Sequence, residues 1–160
     1  MASKYVIPIL YETYLVVIKN SVGSRLFRNF YANVRGKKTD IMQHGALSCA
    51  FFVSSILAMF KLIGEFHGTV DGTAKDLKQS GWKLITKPRT GCILVWGKIV
   101  SDKKNSHKHI GFYIGNRKAI SNNSKLGQPV IHHWTFGAKN GKPKRKIEAI
   151  YWHKKLNQRK

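Results

Sequence analysis

Two side chains in this sequence have the types and surroundings needed for nucleophilic catalysis. Cys49 stands directly before an apolar run, and His109 opens a later strand-like segment. A thiol attacks best after giving up its proton. The usual acceptor is a histidine within hydrogen-bond reach, held in orientation by a third polar group. Residues 47–60 are apolar on every side, which is the pattern of a buried helix. At the N-terminus of that helix, Cys49 would meet unpaired backbone N–H groups and the positive end of the helix dipole, both of which favour a thiolate. Ser48 is the expected N-cap and Gly64 the expected residue just past the end, bracketing about four turns. Taken alone, a free cysteine in such a run reads more readily as packing than as chemistry, because free cysteine is among the most buried residue types.

His109 is expected at the mouth of a strand running beside the cysteine helix, where it would be partly accessible. A single histidine in a basic protein is as often an ordinary surface or core residue. Four histidines, His107, His109, His132 and His133, form two close pairs that could chelate zinc. Adjacent residues in a strand diverge, however, and the spacing matches no familiar zinc pattern.

The elements that must position these groups follow from punctuation and periodicity. At 160 residues, 42% hydrophobic and 11% aromatic, the chain suits one domain with a real core. Residues 5–18 read as an amphipathic helix with Tyr11, Tyr14, Leu15 and Ile18 on one face. Pro8 and Glu12 interrupt the apolar run, which argues against a signal peptide. Residues 19–40 mix Phe27, Phe30 and Tyr31 with Arg25, Arg28, Arg35, Lys37 and Lys38. They read as a helix with a buried aromatic face and a solvated basic one, or as a surface for single-stranded nucleic acid. A short helix is expected over 74–80, with Thr73 as N-cap and Gly81 past its end.

Beyond that point the pattern changes to strands, at 82–85, 92–96, 109–114, 118–121, 130–136 and 147–152. A polar loop spans 101–106, a hairpin turn falls at Gly115–Asn116, and a Gly- and Lys-rich turn precedes the last strand. Helices first and antiparallel strands after indicate an α+β domain whose cysteine helix packs on a sheet.

With the elements in place, the local motifs resemble a known family. Ser48-Cys49-Ala50-Phe51-Phe52-Val53 resembles the cysteine-helix motif of the NlpC-type cell-wall peptidases. Thr90-Gly91-Cys92-Ile93-Leu94-Val95-Trp96 is similar to their Pro-Gly-Asp-Leu-Val-Phe-Trp strand. His109-Ile110-Gly111-Phe112-Tyr113-Ile114-Gly115-Asn116 is similar to their His-Val-Gly-Ile-Tyr-Ile-Gly-Asn hairpin. The likeness spans about residues 45–135, and its order, helix cysteine before strand histidine, is that of papain-like folds, including the related CHAP amidases.

This resemblance implies a papain-like thiol hydrolase acting on amide bonds of peptidoglycan stem peptides. Cys49 would be the nucleophile, His109 the base, and the Cys49 N–H part of the oxyanion site. Gln43, six residues before Cys49, has a spacing similar to papain's oxyanion glutamine. It implies a core at 45–135, preceded by an N-terminal helical segment (1–44) and followed by a final strand and basic tail (136–160), in a single domain with five to six antiparallel strands.

The departures from the family pattern fall mostly near the chemistry. The acidic residue before the cysteine is Ser48 here, its helix serine and glycine are Ala50 and Phe51, and its strand aspartate is Cys92. Where the family carries a third histidine, this chain has Ser121 followed by Asn122. Only one of the two can face His109. Asparagine favours the role by chemistry, serine by register, and His132 or His133 could supply it from one strand later.

The charge adds a second class of function. Lysine and arginine number 29 against 7 acidic residues, a formal net charge of +22, so the surface must attract polyanions. Residues 139–160 would suit nucleic-acid phosphates or an anionic wall polymer, as a catalyst's anchor or as a non-catalytic binding module. The two cysteines sit in core-like segments and are expected to be free thiols. No cofactor is called for, and no segment is long and apolar enough to span a membrane. No convincing export signal is read here, which leaves the location open between the cytoplasm and release by a non-classical route.

Overall fold

The computed structural model describes residues 6–99 and 106–157. Lys4, most of the polar loop expected at 101–106, and residues 158–160 of the basic tail lie outside them. The amphipathic pattern near the start forms α1 (Leu10–Asn20), which buries Tyr14 and Ile18 completely. A buried phenol needs an acceptor, and both tyrosines of this helix find one in the same turn. Tyr11 donates to the Thr90 carbonyl at 3.0 Å and Tyr14 to the Gly91 carbonyl at 2.8 Å.

The basic segment that follows is not helical. β1 (Tyr31–Val34) and β2 (Lys37–Asp40) form an antiparallel hairpin. Its two turn residues, Arg35 and Gly36, both take the left-handed conformation, at φ 50° and 81°. That geometry matches the twist of paired strands. Asp40 then gathers the chain: its carboxylate accepts from the Phe30, Met42 and His44 N–H groups and from the Asn29 amide. Burial works to raise this carboxyl, but those donors outweigh it and hold its pKa at about 2.

α2 (Cys49–Met59) starts directly after Ser48, as expected, with Ala50, Phe52, Val53, Ser54, Ile56 and Leu57 buried. It stops before Gly64. Lys61 adopts the left-handed conformation (φ 52°), and the Leu62 N–H returns to the Leu57 carbonyl at 2.9 Å, a Schellman-type ending reached without glycine. α3 (Val70–Gln79) begins about one turn before the expected start, because Thr69 caps it by accepting from the Gly72 N–H at 3.1 Å.

The remaining strands are β3 (Lys83–Leu84), β4 (Ile93–Trp96), β5 (His109–Gly115), β6 (Lys118–Asn123), β7 (Gln128–His133), the short pair β8 (Ala138–Lys139) and β9 (Lys142–Pro143), and β10 (Ile147–Trp152). Six of them make one sheet in the order β3-β10-β4-β5-β6-β7, each neighbouring pair antiparallel. The turn from β5 to β6 uses Asn116 and Arg117, again both left-handed.

α2 lies across β5 and β6. Phe52 meets Phe112 edge-on at 5.4 Å between ring centroids, and Tyr14 of α1 meets the same ring at 6.0 Å. Fully burying an apolar side chain of this size contributes about 1.5–3 kcal/mol, so each ring at the helix-on-sheet contact adds appreciably to stability. Among the described residues no helix is long and apolar enough to cross a membrane.

Candidate active site

The antiparallel register decides which side chains can meet. Residues paired across a ladder share a face, and neighbours along a strand alternate. Trp96 pairs with His109, and Ala119 with His132. Phe112, which touches α2, pairs with Ile120. One face of the sheet therefore carries Phe112, Ile120 and Asn122 toward α2, and the other carries Trp96, His109, Ser121 and His132.

This settles which candidate meets His109. Ser121 Oγ lies 2.8 Å from His109 Nε2, and the same hydroxyl lies 2.7 Å from His132 Nε2. His132 Nδ1 in turn lies 2.8 Å from the His133 carbonyl. Asn122 points the opposite way, donating its amide to the Gly45 carbonyl at 2.7 Å just ahead of α2. Chemistry favoured asparagine, but strand alternation removes it from the histidine.

Gly111 makes the meeting possible. A Cβ there would lie 2.6 Å from the Ile120 carbonyl oxygen and 2.7 Å from the Ser121 Cβ, so any side chain at this position would push β6 and its serine away. Trp96 forms the floor, with His109 and His132 at 5.6 and 5.7 Å from it, and Phe136 stacks on His132 at 4.1 Å.

Cys49 sits partly buried at the first position of α2. The backbone N–H groups of Ala50 and Ile110 and the charge of Arg145 act on its sulfur. Ile110 is available because of the ladder's alternation: Tyr113 donates to the Cys92 carbonyl on the β4 side, so the Ile110 N–H points away from β4. The sulfur thus rests beside the residue that follows His109. Among the described residues no hydrogen bond joins the thiol to the imidazole, and His109 Nδ1 has no hydrogen-bond partner.

The protonation of this site differs from the thiolate that a helix N-terminus suggests. Burial pushes the Cys49 thiol up, against the N–H groups and Arg145. Burial, then the charges of Arg145 and His132, bring His109 down to about 3. Desolvation disfavours both charged forms. The resting pair is a thiol and a neutral imidazole.

The other sequence candidates are placed as follows. Gln43 is exposed, in a turn with φ 49°, its N–H donated to the Asp40 carbonyl; among the described residues no hydrogen bond brings it to the thiol. Cys92 is fully buried in the core, and burial pushes its thiol up to about 12. His133 turns its Nδ1 to the Thr135 hydroxyl at 2.9 Å. His107 gives its carbonyl to Arg145, whose Nε also donates to the Gly97 carbonyl at 2.9 Å. Among the described residues no group of three or more histidine, cysteine or acidic side chains could hold a metal ion. Arg145 was legible only as tail charge. Nothing in the run Lys142–Lys146 distinguishes the one cation that folds back toward the thiol.

A second polar cluster lies between the end of α2 and α3. Asp76 accepts from His67 Nε2 at 2.7 Å, from the Gly64 and Glu65 N–H groups, and from the Ser80 hydroxyl. Burial again works to raise this acid, and again its donors outweigh it, holding it at about 2. The sequence matches no protein-family model and none of the curated proteins.

Proposed function

We propose that this chain is a papain-like cysteine hydrolase that cleaves amide bonds, with peptidoglycan stem peptides as its substrate class. The observation that supports this reading most is the His109–Ser121 hydrogen bond at 2.8 Å. It occupies Nε2 and leaves Nδ1 without a hydrogen-bond partner among the described residues, while the backbone N–H of the next residue, Ile110, acts on the Cys49 sulfur.

In this mechanism Cys49 Sγ attacks the carbonyl carbon of the amide while its proton passes to His109 Nδ1. Because burial opposes both a free thiolate and a free imidazolium, transfer and attack belong to one step, and His109 acts as a general base. The tetrahedral oxyanion is held by the Cys49 N–H. Collapse returns the proton from Nδ1 to the departing amine. A water molecule, deprotonated by the same nitrogen, then hydrolyses the thioester and regenerates the thiol.

The charge supports a second reading, a basic module that holds an anionic polymer. With 29 basic against 7 acidic residues, most cations have no carboxylate to pair with, and phosphates or wall polymers could fill that role.

The deciding experiment incubates the protein with purified peptidoglycan fragments and follows new amines and fragment masses. Wild type is expected to cleave, and Cys49→Ala to be inactive with an unchanged circular dichroism spectrum and Tm. Cleavage by folded Cys49→Ala would overturn the hydrolase reading. A wild-type protein that cleaves no stem peptide but binds a DNA duplex with a steep salt dependence would establish the binding module instead.

A further inference from the structure

The chain of contacts behind His109 has only one consistent arrangement of protons. A carbonyl oxygen cannot donate, so the bond between His132 Nδ1 and the His133 carbonyl, at 2.8 Å, requires a proton on Nδ1. Burial holds His132 below its ordinary value, and the charges of His133 and Arg145 add to this against the pull of the His133 carbonyl. A neutral His132 with its proton on Nδ1 has a bare Nε2. The Ser121 hydroxyl, 2.7 Å away, must donate into that lone pair. Having spent its one proton there, Ser121 can only accept from its other neighbour, His109 Nε2 at 2.8 Å. His109 must therefore carry its proton on Nε2.

We propose that the His133 carbonyl sets the tautomer of His109 through His132 and Ser121, so that the Nδ1 lone pair is always presented on the side of the ring away from the relay. His132 is then a positioning residue, acting on the base through a serine. The part that lone pair plays in proton abstraction rests on the hydrolase reading above, but the tautomer itself does not. A single hydroxyl between two imidazoles transmits direction because it has one proton to give, and an asparagine, with donors and an acceptor together, would transmit it less strictly. The surroundings support a set geometry: His132 is stacked on Phe136, and both rings rest on Trp96.

The test is long-range 1H–15N correlation spectroscopy on 15N-labelled full-length protein near pH 7, which separates protonated from bare ring nitrogens. In wild type His109 is expected to be protonated on Nε2 and His132 on Nδ1, the less common form. His132→Phe keeps a ring against Phe136 but removes the acceptor, freeing Ser121 to donate to His109. The His109 spectrum should then move toward the Nδ1–H form, and kcat for amide cleavage should fall by about 10- to 100-fold with KM little changed. His132→Gln, whose amide oxygen can still accept from Ser121, should restore the Nε2–H form. A wild-type His109 protonated on Nδ1, or a tautomer unmoved by His132→Phe, would overturn the proposal. Expected tautomers in a protein that cleaves no amide would leave the relay standing and remove the hydrolase reading alone.

Discussion

His67 and His109 each touch a serine-bearing cluster, and they are treated oppositely. His67 is bonded to a carboxylate: Asp76 takes its Nε2 at 2.7 Å together with two backbone N–H groups and the Ser80 hydroxyl. His109 is bonded to a hydroxyl, and its chain of partners, Ser121, His132 and the His133 carbonyl, contains no carboxylate. The first arrangement spends the imidazole on structure, tying the segment after α2 down onto α3. The second keeps the imidazole neutral with one nitrogen unengaged. The difference lies in what the partners withhold: His67 is committed to a carboxylate, whereas His109 keeps one nitrogen unengaged, which is what the proposed base requires.

The largest way to break the comparison is to remove each imidazole. His109→Ala is expected to lower amide cleavage by about 10²- to 10⁴-fold with little change in Tm, whereas His67→Ala should leave turnover intact and lower Tm. Loss of turnover on both, or on neither, would mean the two clusters are not functionally distinct. Removing the carboxylate should show the structural side directly. Asp76→Ala strands several buried donors and is expected to cost on the order of 3 kcal/mol in urea unfolding, without altering the His109 tautomer.

Gly111→Ala should injure the neutral cluster from within. The new methyl group must displace Ser121 or the Ile120 carbonyl, with a stability loss of about 1–3 kcal/mol and disruption of the His109 tautomer. Wild-type stability and an unchanged spectrum would show that β5 and β6 need no glycine there.

Acid titration sharpens the contrast further. His109 in the fold sits at about 3 against an ordinary 6.5, so below 6.5 the unfolded chain takes up a proton that the folded one refuses. Its contribution is present above 6.5 and lost as pH falls toward 3. Asp76 sits at about 2 against 3.8, so its contribution is lost only as pH falls from about 4 toward 2. His109→Phe should flatten the upper window of stability against pH and Asp76→Asn the lower. The smallest effect concerns the second thiol: with its pKa near 12, Cys92 should resist iodoacetamide at pH 8 in the folded protein and react only on unfolding.

How much of this was legible in the sequence depended on whether the signal was periodic or local. The α+β class, the cysteine helix and the main strands followed from apolar runs, which report burial directly. The hairpin at residues 31–40 did not, because Arg35 occupies a left-handed turn position where asparagine or aspartate would have announced it. The end of α2 was misplaced for the same reason, with Lys61 rather than Gly64 taking the left-handed conformation. The start of α3 was misplaced because Thr69 and Thr73 offer equivalent caps, and only tertiary contacts choose.

At the site, Ser121 and Asn122 could be separated only by register, and register is set by pairing with β5 and β7. His132, eleven residues from Ser121, gained its place by pairing with Ala119 across the β6–β7 ladder. No local pattern reports that distance.

The sheet order carries a consequence for how the chain comes off the ribosome. β10, at residues 147–152, does not extend an edge but lies between β3 and β4, and Arg145, which acts on the Cys49 thiol, arrives just ahead of it. Until those residues have emerged, β3 lacks the strand it pairs with and β4 has an open side, although α2 and β5 have long been synthesised. Cys49 and His109 are therefore made early and assembled late, and a nascent chain halted before residue 147 would hold both residues without the completed sheet that supports them.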